Sequence, residues 1–391
     1  MASVVKVALL IETARGYGRG ILRGIVRYAR LHGPWAFYVT PGDFEQELPK
    51  MERWGGTGII ARIENQRVAE AILATKLPLV ALDLSEMQLR PGHPLANVSE
   101  VRSDSHSAAA LAAEHLLDRG FRHYAFVGIP QRVWSQRRQE GFCRRIDEAG
   151  FSVHLYPATM RDYQNWGKEQ AVLARWLKGL PKPVGVMACN DDRGREVLAA
   201  CRLAELQVPE QLAVVGVDND SLLCELSDPP LSSVALNTER GGYEAAALLD
   251  EMMRCRGPHP PKRIAVPPLH VVTRRSTDIL ALDDPEVASA LRFIHDNAGH
   301  PIQVEDVVRQ MNWSRRTLEM RFQRAVGRSI RAEIERVRLE RAKRLLQETD
   351  LTVPKIASAS GFNNPNYFGL VFRRIVGTSP SHYRRQVRGT C

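Results

Sequence analysis

Two short runs of acidic residues stand directly after apolar segments of this sequence. Asp191 and Asp192 follow "VGVMACN", while Asp218 and Asp220 follow "LAVVGV". Paired carboxylates can serve as general acid and base in glycosidic bond hydrolysis, so a glycosidase-like site is one hypothesis. The run "GYGRG" at 16–20 weakly resembles a phosphate-binding loop, but it lacks the third glycine at the required spacing and a following Lys-Ser/Thr.

The other signatures of catalysis and of metal binding are missing from the sequence. It has no ordered Ser, His and Asp set, no nucleophile elbow, and no Cys and His residues at metal-ligand spacing. The six cysteines form no CxxC motif, which is typical of reduced thiols in a cytoplasmic protein. We therefore predict a cytoplasmic protein that is not an enzyme and has no metal or cofactor.

Net charge is distributed unevenly along the 391 residues. Residues 285–391 contain 19 Lys and Arg against 10 Asp and Glu, so they carry +9 of the total net charge of +10. Hydrophobic residues at 44% and charged residues at 25% are typical of globular domains, so this basic region is expected to fold. A folded basic region favours binding to a polyanion, and the alternative is a solvated helix face.

Residues 1–277 alternate short apolar runs with amphipathic stretches. The runs "VKVALLI", "TGIIA", "LPLVALD", "HYAFVGI", "VGVMAC" and "LAVVGVD" are typical of buried strands, and helical patterns such as "GRGILRGIVRYARLHG" lie between them. This alternation predicts parallel β-sheets, and the length favours two α/β lobes. The polar stretch 278–286 is predicted to be a linker, and residues 287–391 are predicted to be helical.

The helical region contains an internal duplication. Residues 314–329, "SRRTLEMRFQRAVGRS", align with residues 364–379, "NPNYFGLVFRRIVGTS", at a constant offset. Each copy begins at a preferred N-cap residue and ends at a glycine suited to the left-handed stop of a helix. These residues are Ser314 and Gly327 in the first copy, and Asn364 and Gly377 in the second.

A short helical pattern precedes each copy, so the sequence predicts two helix-turn-helix motifs, at about 303–325 and 353–376. The segment 329–349 between them predicts a helix of about 19 residues and about 28 Å. That length is close to the roughly 34 Å between successive major-groove faces of DNA, so two reading helices could face adjacent grooves. Phe362, Phe368 and Phe372 have the spacing of a core stripe, the alternative being stacking platforms for single-stranded bases.

The second copy and the residues on either side of it also carry a family signature. It resembles AraC/XylS-type DNA-binding domains, over about 287–388, through Ala357, Gly361, Phe362, Tyr367, Phe368, Phe372, Arg373, Arg374, Gly377, Ser379, Pro380, Tyr383 and Arg384. This resemblance implies an all-α domain with two helix-turn-helix motifs joined by a central helix, and double-stranded DNA as partner. Base-facing positions implied by it are Arg315, Arg316, Glu319 and Met320, and then Pro365, Asn366, Gly369 and Leu370.

The type of side chain at each position indicates what it could contact. Arg can hold a guanine and Asn an adenine through two hydrogen bonds, so Asn366 is expected to read a base. Leu370 departs from the family pattern, in which Arg is common, and is left with apolar contact. Arg321, Arg373 and Arg374 are expected to hold phosphates or acids of the protein itself.

Residues 1–277 resemble the effector domain of LacI/GalR-type regulators, through landmarks such as "HLLDRGFRHYAFVGI", "QEGFCRRIDEAG" and "VPEQLAVVGVDND". The resemblance implies the two-lobed α/β fold of periplasmic binding proteins (type I), which closes on a small sugar. The ligand-binding positions that it implies are Tyr17, Trp134, Arg138, Asn190, Asp191 and Asp218. Arg138 would fork onto two hydroxyls and Trp134 would stack on the sugar ring, whereas a buried salt bridge is the alternative for Arg138 and Asp218.

A LacI-like sensor followed by an AraC-type DNA-binding domain resembles the activators of xylose operons. The resemblance implies a sequence-specific transcription activator that answers to D-xylose or a similar pentose, binds operator half-sites as a homodimer and contacts RNA polymerase. The alternative is an AraC-type regulator whose large domain senses a non-sugar molecule or only dimerises. The apolar run Val4–Ile11 is too short and too interrupted for a signal peptide or membrane span, so no membrane partner is expected.

Overall fold

This computed structural model describes residues 4–39, 51–159, 166–254, 260–279, 284–311 and 313–388. The chain divides into two compact units, Met1–Ile279 and Leu280–Cys391. The first is an α/β unit with two sheets and the second contains helices only in its described part, which confirms the predicted fold class.

The α/β unit contains twelve described strands and nine described helices. The strands are β1 (Val5–Leu10), β2 (Trp35–Val39), β3 (Gly58–Arg62), β4 (Leu79–Leu82), β5 (Ser99–Ser103), β6 (His123–Val127), β7 (Val153–Leu155), β8 (Val184–Ala188), β9 (Leu212–Val217), β10 (Ser232–Leu236), β11 (Arg263–Val266) and β12 (Pro268–Val272). The helices are α1 (Gly16–His32), α2 (Met51–Trp54), α3 (Gln66–Ala74), α4 (Ser105–Leu117), α5 (Val133–Glu148), α6 (Trp166–Gly179), α7 (Asp191–Leu203), α8 (Ser221–Leu226) and α9 (Thr238–Arg254). A short 3-10 turn, Arg275–Thr277, follows them.

Two six-stranded sheets form the two lobes. The first lobe has the strand order β11-β5-β4-β3-β1-β2 and the second has the order β12-β10-β9-β8-β6-β7. Neighbouring strands are parallel except for the antiparallel pair β10 and β12. The chain passes between the lobes after β5, after β10 and between β11 and β12, so three segments connect the two sheets.

The strands that position the site are those with apolar sequences. Strands β3, β4, β8 and β9 are buried along their whole length, as the Val-, Ile- and Ala-rich runs predict. The apolar runs do not predict β5, whose sequence is SEVRS; Glu100 of that strand is fully buried and accepts a hydrogen bond from the Leu84 N–H. Because ligands of open parallel sheets bind beyond the carboxyl ends of the strands, those ends are where a site is expected.

The second unit contains seven described helices: α10 (Pro285–Asp296), α11 (Val304–Gln310), α12 (Arg315–Val326), α13 (Ile330–Glu348), α14 (Val353–Ala359), α15 (Pro365–Val376) and α16 (Pro380–Arg388). One apolar core lies under the first helix-turn-helix motif, α11 and α12, and includes Leu318 and Phe322. A separate core lies under the second motif, α14 and α15, and includes Phe368 and Phe372. The long helix α13 supplies residues to both cores, so it joins the two motifs.

The ends of the two reading helices follow the predicted caps. The Ser314 side chain accepts a hydrogen bond from the Thr317 N–H, and the Asn364 side chain accepts from two backbone N–H groups of its first turn. Gly327 and Gly377 have φ values of 75° and 81°, the left-handed conformation that glycine adopts at little cost. The capping predictions are confirmed, and the three phenylalanines of the second motif are buried in its core.

Candidate functional site

The first lobe contributes a cluster of charged side chains to a cleft between the two sheets. Arg62, the last residue of β3, donates a hydrogen bond of 2.9 Å to Asp83, which directly follows β4. Its Nε lies 3.4 Å from Glu12, which follows β1. The Tyr17 hydroxyl, from the first turn of α1, donates to the same Asp83 carboxylate at 3.0 Å. All four side chains are buried and line the cleft.

The second lobe faces this cluster with residues of α5 and of two loops that follow strands. Arg138 donates to Asp218, which directly follows β9, at 3.0 Å, and also to the backbone carbonyl of Cys189. The guanidinium carbon of Arg138 lies 5.2 Å from the ring centroid of Trp134, one helical turn earlier. Asn190 caps α7, since its amide oxygen accepts a hydrogen bond from the Arg193 N–H, and the residue also lines the cleft.

The predicted ligand positions therefore divide into two groups. Tyr17, Trp134, Arg138, Asn190 and Asp218 line one cleft together. Asp191 does not line it, because its carboxylate turns inward to bind other parts of the second lobe. One oxygen accepts from the Asp220 backbone N–H at 2.7 Å and the other from the Ser233 hydroxyl at 2.5 Å. Asp191 supports the loop that carries Asp218 and Asp220.

Sequence reasoning missed four charged residues of the cleft: Glu12, Arg15, Arg62 and Asp83. Apart from Arg15, each stands at or directly after the end of a buried apolar run, in "ALLIE", "GIIAR" and "LVALD". The same signal, a polar residue at the carboxyl end of a buried strand, is the one that marks Asn190 and Asp218. When this signal is used for both lobes, it identifies Glu12, Arg62, Asp83, Asn190 and Asp218.

The two aspartates of the cleft have an unusual backbone conformation, and burial changes the pKa of two of its carboxyl groups. Asp83 and Asp218 have φ values of 52° and 107°, which are uncommon for residues other than glycine and tend to cluster at functional sites. Burial raises the pKa of Asp218 above its usual value, although the charge and hydrogen bond of Arg138 oppose that shift. Burial likewise raises the pKa of Glu12, against the charge of Arg62. The cleft is therefore a dry environment in which polar groups interact strongly.

Several polar atoms of the cleft keep unused hydrogen-bonding capacity. Within the described part of the chain, the Trp134 indole N–H and the Nε of Arg138 are buried and have no hydrogen-bond partner. The Nε of Arg62 and one carboxylate oxygen of Glu12 also make no hydrogen bond, but these two atoms form an ion pair at 3.4 Å. A buried polar atom without a partner costs stability, so such a cluster is retained where a polar ligand can satisfy it.

The lobes are held close together in this structure. The free space between the lining side chains is about 20 Å³, enough for about one water molecule. Among the described residues, four ion pairs cross between the lobes: Arg15 with Asp192 at 2.7 Å, Arg19 with Asp220 at 2.8 Å, Arg137 with Glu86 at 2.6 Å, and Arg132 with Glu64. A molecule larger than water therefore requires the lobes or these side chains to move.

The four aspartates behind the glycosidase hypothesis are all engaged within the protein. Asp192 and Asp220 bind arginines of the first lobe, Asp218 binds Arg138, and Asp191 accepts two hydrogen bonds inside its own lobe. Their oxygens bind arginines, a hydroxyl and a backbone N–H rather than one another. This arrangement suits binding and lobe closure rather than a pair of catalytic carboxylates.

The first reading helix, α12, presents a mixed polar and apolar surface. Arg316 and Met320 are exposed. Arg315 is also exposed, but its guanidinium binds Glu305 of α11 and, at 3.0 Å, Glu319 one turn further along α12. One groove on the surface of the unit is lined by Arg315, Arg316, Glu319, Met320, Gln323 and Ser329.

Arg321 lies in a different setting on the same helix. Its Nε donates to Asp284 at 2.7 Å, and its guanidinium carbon lies 3.8 Å from the centroid of the Trp313 ring. Arg321 was expected to hold either a phosphate or an acidic residue of the protein itself. The contact with Asp284 is the second of those two expectations.

The second reading helix, α15, has a less acidic surface. Pro365 starts the helix, and Asn366, Leu370 and Arg373 are exposed on it, with Gly369 between them. Arg374 is also exposed, but it donates to Glu335 of α13 at 2.9 Å. The same carboxylate accepts from the Tyr367 hydroxyl at 2.8 Å. Glu335 thus fixes the orientation of α15 on the connecting helix.

Comparison with known proteins gives matches along the whole chain. Residues 6–95 match the XylR N-terminal domain, residues 113–277 a periplasmic binding protein-like domain, and residues 307–386 a helix-turn-helix domain. The xylose operon regulatory protein of Escherichia coli strain K12 is 32% identical over 97% of this chain and 96% of its own length. That of Haemophilus influenzae is 32% identical over 97% of this chain and 98% of its own.

The chain belongs to the family of xylose operon regulatory proteins. Its members are transcription regulators, and this chain carries their DNA-binding helix-turn-helix domain. A solved structure of the xylose-binding transcription activator XylR is similar over 98% of this chain and 99% of its own, with 30% identity and a TM-score of 0.77. The structure of the regulator CelR with cellobiose matches 71% of this chain, with 24% identity and a TM-score of 0.55, and so supports the α/β fold.

No described helix is both long and apolar enough to cross a membrane. Among the described residues, no group of three or more His, Cys, Asp or Glu side chains is placed to hold a metal ion.

Proposed function

We propose that this chain activates transcription of genes for the use of D-xylose or a similar pentose, and that the sugar binds in the cleft of the α/β unit. The observation that carries the proposal is the set of buried donors and acceptors that converges from both lobes. Arg62 and Arg138 offer forked donors, Asp83 and Asp218 offer acceptors, and Trp134 offers an aromatic face with an unused N–H. Sugars are bound by groups of these types.

The roles of individual residues follow from this placement. Arg138 and Asp218, which bind each other in the present structure, would each exchange part of that contact for sugar hydroxyls, while the indole of Trp134 would cover an apolar face of the ring. Tyr17, whose hydroxyl donates to Asp83, would accept a hydrogen bond from the sugar, and Asn190 would donate one from the opposite lobe. Asp191 would act indirectly, by holding the loop of Asp218 and Asp220. The names of the full-length relatives, which concern xylose, support the choice of a pentose.

Sugar binding would control the DNA-binding unit through the arrangement of the lobes. A ligand shifts an equilibrium only when it binds one state more tightly, and a ligand that contacts both lobes favours the closed arrangement. We propose that the protein acts as a homodimer in the cytoplasm, that closure changes how its DNA-binding units engage operator half-sites, and that the bound protein contacts RNA polymerase. The resemblance to AraC-type and LacI-type regulators supports these three points.

On DNA, we propose that α12 and α15 enter successive major grooves and read bases with exposed residues. Arg316 and Asn366 supply the polar contacts, and Arg373 holds phosphate. Arg315 would contact DNA only after its ion pairs with Glu305 and Glu319 break. In this proposal Arg316→Ala relaxes base preference within one half-site, whereas Arg373→Ala weakens binding to all sequences alike and flattens the dependence on salt.

Isothermal calorimetry of the full chain against a panel of pentoses and hexoses tests the proposal. D-xylose or another pentose is expected to bind more tightly than the hexoses and to raise the thermal midpoint of the protein. If no sugar of the panel binds at millimolar concentration, the sugar assignment fails. A sensor of another small molecule, or a domain that only dimerises, would then account for the large unit.

A further inference from the structure

One face of α15 presents two polar side chains, a glycine and an exposed leucine. Asn366, Gly369, Leu370 and Arg373 are spaced at helical intervals, so they share one face of the helix. Leu370 is 71% exposed, more than any other large hydrophobic side chain in the described part of the chain. The buried side of the same helix contains Phe368, Val371 and Phe372, so Leu370 is not part of the core.

Neither packing within the unit nor its backbone conformation requires a glycine at position 369. A Cβ atom added to it would meet no atom within 4 Å, and its φ is not in the positive range that favours glycine. Glycine in the interior of a helix is also less stable than alanine. Neither packing nor backbone conformation explains this glycine, whereas close approach of another molecule to the helix does.

The first motif has an apolar side chain at the matching position. In the internal duplication Met320 of α12 corresponds to Leu370 of α15, and Met320 is 65% exposed. Both reading helices therefore present a large apolar side chain on the surface that is proposed to face DNA. In the major groove the apolar feature of the bases is the 5-methyl group of thymine.

We propose that Leu370 recognises a thymine through its 5-methyl group, and that Gly369 removes the side chain that would hold α15 away from the base edges. This inference rests on the proposed DNA-reading role of α15. Asn366, one turn before Leu370, has the amide that pairs with adenine. The second motif is therefore selective for A·T base pairs, with one thymine contact that depends on the methyl group alone.

Replacement of thymine by deoxyuridine tests the contact, because deoxyuridine keeps the base pairing and lacks only the methyl group. The full-length protein first selects duplexes from a random pool, and a selected duplex is remade with deoxyuridine at each thymine in turn. We expect one position at which this change raises the Kd about fourfold, the value for one buried methyl group. In Leu370→Ala the same replacement is expected to change the Kd by less than about twofold.

Two further variants separate recognition from folding. Ile375→Ala removes another exposed apolar side chain of α15, five residues further on and therefore on a different face, and it should keep the full response to deoxyuridine. Gly369→Ala should raise the thermal midpoint, since alanine favours the helix, and yet weaken binding to the selected duplex. A purely structural role of Gly369 would not move these two readouts in opposite directions.

The possible failures are distinct. If duplexes are selected but no thymine shows the loss, or if Leu370→Ala keeps it, Leu370 does not read a methyl group and the inference is wrong. If Gly369→Ala binds DNA as tightly as the wild type, the close approach is wrong. If the protein selects no duplex at all, the proposed function fails together with the inference.

Discussion

Arg15 and Asp192 lie in different lobes and form an ion pair of 2.7 Å across the cleft. Arg15 also lines the cleft, so one side chain takes part both in the candidate ligand site and in holding the lobes together. Arg19 and Asp220 form a second bridge nearby, at 2.8 Å. Because opening the lobes separates these charges, the ion pairs favour the closed arrangement, and dissolved salt should weaken that preference.

Removal of one bridge is expected to weaken sugar binding. Arg19 is the better choice, because it does not line the cleft, and Arg19→Gln should raise the sugar Kd up to about fivefold, the value of one partly exposed ion pair. The measurement is calorimetry at about 0.05 M and about 0.5 M salt, where the difference from the wild type should shrink as salt rises. Arg202→Gln, which breaks the exposed Arg202–Asp228 pair within one lobe, is the matched control and should change nothing.

Arg138 is expected to decide sugar affinity. Arg138→Lys keeps the positive charge beside Asp218 but loses the forked donor, and we expect sugar affinity to fall about 100-fold, the value of one strong charge-assisted hydrogen bond. DNA affinity in the absence of sugar should stay unchanged, and a cooperative unfolding transition of the α/β unit shows that the variant folds. Gln136→Ala, on an exposed position of the same helix, is the control. Equal sugar affinity in Arg138→Lys and the wild type would remove Arg138 from the site.

The fold could be predicted from sequence where local patterns decide it. Buried strands such as β3 and β9 have continuous apolar runs, and the reading helices have caps at Ser314 and Asn364 together with terminal glycines. Strand β5 could not be predicted, because its burial results from tertiary contacts: Glu100 is buried by accepting from the Leu84 N–H, and no pattern in the strand records that partner.

The candidate site could be predicted only in part for a related reason. A polar residue after a buried strand signals that a side chain lies near the cleft, but its direction depends on partners distant in sequence. Asp191 and Asn190 are adjacent, yet Asp191 is drawn inward by Ser233 and Asp220 whereas Asn190 lines the cleft. Similarly, nothing in the sequence of α12 shows that Glu305 of the preceding helix holds Arg315.

The acidic partner of Arg315 should reduce DNA affinity. Glu305→Gln removes a negative charge from the surface of α11 and leaves Arg315 bound only to Glu319, so we expect DNA to bind up to about fivefold more tightly. The plot of log affinity against log salt concentration should also become steeper, because more positive charge is available to phosphates. Fluorescence anisotropy over a salt series provides both values.

A control distinguishes this local effect from a general change in charge. Glu286→Gln removes an exposed acid from α10 and alters the net charge equally. If both variants tighten DNA binding to the same extent, the release of Arg315 is not the cause. An unchanged affinity in Glu305→Gln would show that the ion pair with Arg315 does not compete with DNA.

His115 is expected to make the α/β unit less stable in acid. Its ring nitrogen lies 2.7 Å from the Thr277 hydroxyl in a buried position, and burial, assisted by the charge of Arg119 and opposed by that of Asp278, lowers its pKa from 6.5 to about 3. Between these two values the unfolded chain binds a proton that the folded protein does not bind. The free energy of unfolding should therefore fall as the pH falls through this range.

His115→Gln isolates that contribution, because glutamine can keep a hydrogen bond to Thr277 but does not titrate. Relative to this variant, the wild type should lose about 1.4 kcal/mol of stability for each pH unit below 6.5. Urea unfolding of the full chain, followed at the transition of the α/β unit between pH 7 and about pH 4.5, measures the difference. A difference that stays constant with pH would mean that His115 binds its proton equally in the folded and unfolded states, in conflict with its burial against Thr277.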